Sequence, residues 1–150
     1  MNTSHSSNMK TTDKPIFQEF HIEGVKQISP ADAMIALNKD KAVLIDVREP
    51  DELALESVLL DNVLNHPMSV IMDRLPYIAS DQNIILACPA GVRSVKVANL
   101  LNREDYPGVT NLDGGLGQWK AQGFPYEQKL GFRELPCVGS CSGCSGGSCC

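Results

Sequence analysis

Among the six cysteines of this 150-residue chain, Cys88 stands alone in a setting that can do chemistry. It closes the run Asn83-Ile84-Ile85-Leu86-Ala87, and the residues after it, Pro89-Ala90-Gly91-Val92-Arg93-Ser94, lead into a helical pattern. A continuous apolar run of this length reads as a parallel strand covered on both faces. Ligands of open α/β sheets bind beyond the carboxyl ends of such strands, where Cys88 falls. A loop that wraps from strand to helix can aim several backbone N–H groups inward, and the helix N-terminus adds partial positive charge. Both favour the ionised sulfur, which is the nucleophilic form. The backbone of Ala90, Gly91, Val92 and Ser94 is therefore the candidate cradle for a bound anion. Arg93 adds a planar fork suited to a sulfonate or phosphate-like group. The competing reading is a small, inert core cysteine; the strand end, the glycine-containing loop, Arg93 and the following helix together favour a nucleophile. A cysteine protease is a weaker reading, because nothing singles out His5, His21 or His66 as a base, and His66 reads as a loop or core-edge residue.

The other five cysteines, Cys137, Cys141, Cys144, Cys149 and Cys150, crowd into the last fourteen residues among glycines and serines. A disulfide framework would spread them along a small secreted chain, so stapling a core is not their expected job. Cys141-x2-Cys144 has spacing compatible with a shared metal, for which soft thiolates would select zinc, copper(I) or an iron–sulfur cluster. A thiol relay partner for Cys88 and a solvated tail are the other readings, and the three stay open. Thirteen flexible residues span roughly 20 Å, enough for a tail thiol to visit another site.

Around these residues, short β-branched runs alternate with helical patterns, as parallel βαβ units do. The spacing predicts strands at Val25–Ile28, Ala42–Asp46, Val63–Asn65, Asn83–Ala87 and Thr110–Leu112. Helices are expected over Ala31–Asn38, with Ser29-Pro30 as cap and first turn, over Pro50–Glu56, and over Ser69–Leu75 until Pro76. Another opens at Ser94 with one buried apolar face, and a last one, carrying Trp119, follows Gly114-Gly115 and stops at Gly123 and Pro125. Residues 25–127 form one domain of α/β class. Residues 1–20 read as a polar, disordered lead-in, 128–136 as a linker and 137–150 as a flexible cysteine-rich tail.

Three segments in this order resemble the rhodanese family: Leu44-Ile45-Asp46-Val47-Arg48-Glu49-Pro50-Asp51-Glu52, the loop Cys88 to Ser94, and Leu112-Asp113-Gly114-Gly115 with Trp119. Asn65, Pro67 and Ser69 also match. The resemblance implies a three-layer α/β/α fold with a central, mainly parallel sheet, and sulfurtransferase activity through a persulfide on Cys88. Asp46 and Arg48 are expected to form a structural ion pair beside the loop, and Trp119 to be core. The chain departs from the family at Glu56–Asn62, which replaces a Gly-His-Ile-Pro-Gly run. It also departs at Pro89 and Ala90, where relatives that use thiosulfate often carry another basic residue; thiosulfate is thus expected to be a poor donor. Four residues separate Cys88 from Arg93, whereas phosphatases and arsenate reductases on similar folds use a loop one residue longer to hold a tetrahedral oxyanion. The shorter loop favours sulfur transfer.

Thirteen basic against eighteen acidic residues give a net charge of −5, which argues against nucleic acid and against an anionic membrane surface as partners. No apolar run approaches the roughly eighteen residues of a membrane helix, and the first residues lack the apolar centre of a secretory signal, so a cytoplasmic location is the default expectation. The expected partners are a small anionic sulfur donor and a thiol, cyanide or protein sulfur acceptor. No organic cofactor is required, and a thiolate-bound metal is confined to the tail. Two rivals remain: a binding or regulatory module that keeps the fold, against which Cys88 and Arg93 count, and a metal-trafficking protein acting through its tail.

Overall fold

The computed structural model describes residues 9–39 and 42–128. Five short strands form one all-parallel sheet. In chain order they are β1 (Lys26–Ile28), β2 (Val43–Asp46), β4 (Val63–Asn65), β5 (Ile84–Ala87) and β6 (Val109–Leu112), and across the sheet the order is β1-β6-β5-β2-β4. A separate antiparallel pair joins β3 (Glu56–Val58) to β7 (Tyr126–Gln128).

β5 lies at the centre of the sheet, and its side chains alternate between two cores. Ile84 and Leu86 pack with Ile45, Val95, Ala98 and Leu101 on one face. Ile85 and Ala87 pack with Leu44, Ala33, Leu116 and Trp119 on the other. A strand buried on both sides has no polar face to show, which is why it appears as an uninterrupted apolar run. Helix α4 (Val92–Arg103) supplies the first core, and α1 (Pro30–Lys39) with α5 (Gly115–Ala121) the second, giving the three-layer α/β/α arrangement. Among the described residues no helix is long and apolar enough to cross a membrane.

Helix α1 begins at Pro30, as Ser29-Pro30 predicts, with the Ser29 hydroxyl accepting the Asp32 N–H at 3.1 Å as an N-cap. Other elements differ from the expectations drawn from periodicity. Helix α2 is only Pro50–Leu53, where Pro50–Glu56 was expected, because Glu56 is taken into the ladder with Gln128. Ser69–Leu75 is not one helix but a 3₁₀ turn (Met68–Val70), one α turn, α3 (Ile71–Arg74), and a second 3₁₀ turn over Leu75–Tyr77 that holds Pro76. Helix α4 starts two residues before Ser94, behind Gly91 in a left-handed conformation with φ of 85°.

The expected disordered lead-in also differs over its second half. Residues 9–20 run along the edge of the sheet and onto its carboxyl end, beside the Cys88 loop. Thr12 and Gln27 exchange two backbone hydrogen bonds of 2.8 Å, which closes the open edge of β1. Asp113 accepts the N–H groups of Ile16 and Phe17 at 2.7 and 3.0 Å. A polar segment without hydrophobic periodicity is held here by side chains nearly a hundred residues away, which local pattern cannot reveal.

Candidate active site

Cys88 leaves β5 at its carboxyl end, and the loop turns back so that its own backbone surrounds the sulfur. The Gly91 N–H donates to Cys88 Sγ at 3.1 Å and the Ser94 N–H at 3.3 Å. Cys88 is 1% exposed, so the sulfur lies at the bottom of this cradle. Ala90 and Val92 stand on the exposed rim. Two aligned N–H donors are the feature that an inert core cysteine lacks; they are positioned for negative charge on sulfur.

A polar network extends behind the sulfur. Ser94 Oγ lies 3.3 Å from Cys88 Sγ and donates its proton to Asn111 Oδ1. Asn111 in turn donates to Gln27 Oε1 at 2.6 Å and to Gln18 Oε1 at 3.3 Å. Gln18 completes the circuit, accepting the Gly114 N–H at 2.8 Å and donating to the Gly91 carbonyl at 3.1 Å. A hydroxyl has one proton. With that proton committed to Asn111, Ser94 Oγ faces a neutral Cys88 thiol as acceptor and must turn to serve the thiolate.

The start of α5 fixes the shape of the loop from the other side. The Leu116 N–H donates to the Cys88 carbonyl at 2.8 Å and the Gly117 N–H to the Pro89 carbonyl at 3.0 Å. Gly115, at φ of 68°, sits so close that an added Cβ would lie 2.5 Å from the Cys88 oxygen and 2.6 Å from the Gly91 nitrogen. Those are backbone atoms and cannot swing aside. Gly115→Ala is therefore expected to cost at least about 2 kcal/mol in stability, from the positive φ and the clash together. It should also slow any reaction at Cys88 by displacing the Gly91 amide. Thermal denaturation and alkylation of Cys88 check the two effects, and a fully stable variant with unchanged Cys88 reactivity would contradict them.

Asp46 and Arg48 form a buried bidentate pair at the end of β2, next to β5. Arg48 Nη2 lies 2.7 Å and Nε 3.1 Å from Asp46 Oδ2, and Arg48 Nη2 also donates to the Glu56 carbonyl at 3.0 Å. Asn65 stitches the same turn by donating to the carbonyls of Asp46 and Arg48 at 2.9 and 3.0 Å. This pair holds the chain that carries α2 against the Cys88 loop. Trp119 is fully buried, its indole N–H donating to the Pro125 carbonyl at 2.9 Å. His66 is part of the surroundings of Arg74, 3.4 Å away, and burial together with that guanidinium lowers its pKa.

Arg93 does not present a free fork. Its two terminal nitrogens each donate to an oxygen of Glu52 at 3.0 Å. The hydrogen bonds from Arg93 and from the Glu49 N–H bring the Glu52 carboxyl down to about 2, so the pair stays ionised at neutral pH and opens only as pH falls toward that value. Beside it lies a cavity of about 290 Å³ bordered by Arg48, Glu52, Glu56, Pro89, Lys120 and Tyr126. Lys120 pairs with Glu56 at 2.9 Å. Burial and the hydrogen bond with Glu56 push Tyr126 up to about 12, so it remains a neutral donor there.

The sequence of the Rhodanese-like domain matches residues 29–122, well over half of the chain. The chain belongs to the rhodanese family. Curated relatives of this rhodanese include a protein named Sulfurtransferase from Allochromatium vinosum, 31% identical over 86 residues, or 57% of this chain and 78% of the relative. The Thiosulfate sulfurtransferase GlpE of Ectopseudomonas mendocina is 33% identical over 110 residues, covering 73% of this chain and 96% of that one. Among solved structures, a rhodanese-related protein from Thermoplasma volcanium superposes with a TM-score of 0.61 at 26% identity, over 67% of this chain and 96% of its own. A polysulfide-sulfur transferase from Wolinella succinogenes, at 22% identity, shares the fold with a TM-score of 0.62 over 72% of this chain and 82% of its own. At family level this rhodanese is a sulfurtransferase-type enzyme.

Gln18, Gln27, Glu52 and Asn111 were not legible as site residues in the sequence. Glu52 stands in the sequence as the last residue of the rhodanese-like segment Leu44–Glu52, with no site role of its own, and Gln18 and Gln27 lie outside the family-matched residues. The five cysteines Cys137, Cys141, Cys144, Cys149 and Cys150, together with residues 129–136 of the expected linker, lie outside the described residues; Gln128, expected to begin that linker, is instead the last residue of β7, held by its pairing with Glu56.

Proposed function

We propose that this rhodanese moves a sulfane sulfur from a donor to a thiophilic acceptor in two steps, with Cys88 as the covalent carrier. In the first, the Cys88 thiolate attacks the terminal sulfur of the donor. The donor's S–S bond breaks, its remainder leaves with the electron pair as sulfite or a thiolate, and Cys88 is left as a persulfide. In the second, an acceptor such as a thiolate or cyanide attacks the outer sulfur and returns Cys88 as thiolate. The reaction is charge-balanced in both steps and calls for no organic cofactor.

The observation that carries this reading is the pair of amides, Gly91 and Ser94, aimed at Cys88 Sγ. Donors fixed before the reaction stabilise charge on sulfur without reorganising as it proceeds. The loop length agrees, since four residues between Cys88 and Arg93 leave a narrow cradle suited to sulfur. Incubation with a sulfane-sulfur donor, followed by mass spectrometry of the Cys88 peptide, is expected to show the mass of one added sulfur atom, removed again by cyanide. A Cys88 peptide that never gains sulfur from any donor would falsify the reading.

A further inference from the structure

Among the described residues, three cations around the Cys88 loop and its neighbouring cavity each have a carboxylate of their own. Arg48 is paired with Asp46, Lys120 with Glu56 and Arg93 with Glu52. Of the three, the Arg93 pair is the one that belongs to the Cys88 loop, Arg93 directly preceding Ser94, whose N–H donates to Cys88 Sγ. Glu52 meets it with both oxygens, so the planar face that would receive a sulfonate is taken.

Glu52 is not a loose partner. Its carboxylate also accepts the Glu49 N–H at 3.0 Å, closing the first turn of α2, where Pro50 fixes the backbone. Glu49 is itself tied down, its carboxylate receiving the Ser69 hydroxyl at 2.9 Å and the Ser69 N–H at 3.3 Å. The pair is about one-third exposed on both sides, so solvent reaches it and a rival anion can compete for Arg93.

We propose that Glu52 is a specificity-determining residue: it acts as a built-in anion on Arg93 and steers the site toward donors of low charge, such as a persulfide on an organic or protein thiol, and away from the thiosulfate dianion. This deepens the two-step reading above and rests on it. A thiosulfate dianion must displace the Glu52 carboxylate and then sit beside it. A persulfide donor delivers its terminal sulfur to the Gly91 and Ser94 amides without needing the Arg93 fork.

The test is the second-order rate of sulfur loading on Cys88, read by mass spectrometry of its peptide, with thiosulfate and with 2-hydroxyethyl persulfide as donors. Glu52→Gln keeps an acceptor for the Glu49 N–H, so α2 retains its first turn. It is expected to raise loading from thiosulfate by about tenfold or more, the scale of a released charge-assisted bidentate contact, while changing loading from the persulfide by less than about twofold. Replacing Arg93 by Met in the Glu52→Gln background should remove the gain. Glu56→Gln takes the same charge from the same cavity but leaves the Arg93 pair, and should give less than about a threefold gain. The proposal is overturned if Glu52→Gln leaves thiosulfate loading unchanged, if both donors gain equally, if the gain survives loss of Arg93, or if Glu56→Gln matches it. Failure of the wild-type protein to load from either donor would instead remove the two-step reading itself.

Discussion

Cys88→Ser is expected to lower sulfur transfer by at least about a thousandfold while leaving the melting temperature nearly unchanged. The substitution keeps a small side chain in the cradle, and a serine oxygen can still accept the Gly91 and Ser94 N–H groups that now meet sulfur at 3.1 and 3.3 Å. It removes the soft nucleophile and with it the carrier of the transferred sulfur. The loss should therefore appear equally with every donor, unlike the donor-selective change expected at Glu52. The measurement needs peptide-level mass spectrometry because five further cysteines follow in the sequence and can take up sulfur on their own. Turnover that persists in Cys88→Ser, with sulfur found on another cysteine, would move the chemistry away from the loop.

Asp46→Ala should produce the largest loss of stability of any single substitution near the site, about 3 to 5 kcal/mol. Asp46 is fully buried and Arg48 nearly so, and the carboxylate receives three donations from the Arg48 side chain and a fourth from its backbone N–H. Truncation leaves the guanidinium buried without its counter-charge, which is far worse than never having had the pair. Chemical denaturation checks the figure. Replacing both residues together with apolar side chains of similar size should recover much of the loss, although the Glu56 carbonyl then goes without the Arg48 donor. A loss below about 1 kcal/mol for Asp46→Ala would mean that the pair is solvated in solution and does not brace the β2 end. Activity should fall in step with stability, since the same turn carries Glu49 and Glu52 to the Cys88 loop.

The sequence by itself determined the parts of this protein that depend on neighbours along the chain. The apolar run Asn83–Ala87 could only be a strand covered on both faces, and the residues after it had to turn into a helix, which set Cys88 at a sheet end with amides around it. Ser29-Pro30 marked the start of α1, and Gly114-Gly115 the tight entry to α5. These signals survive without tertiary contacts because backbone geometry, capping and the period of burial are local. The end of α2 was different. Pro50 announces the helix, but Glu56 is drawn into a ladder by Gln128, and the competing hydrogen bonds come from the far end of the domain.

The same distance hides the electrostatics of the site. Arg93 reads as a free fork until the fold brings Glu52 against it from forty-one positions earlier. Gln18 sits in a polar stretch with no periodicity, yet it clamps Gly91 and Gly114 once Thr12 and Asp113 have laid that stretch along the sheet. The position of Cys88 was thus encoded locally, in the order strand, loop and helix. Which charges face it, and what holds its loop, were decided only by tertiary packing, because hydrogen bonds and ion pairs between distant segments leave no period in the sequence for a reader to find.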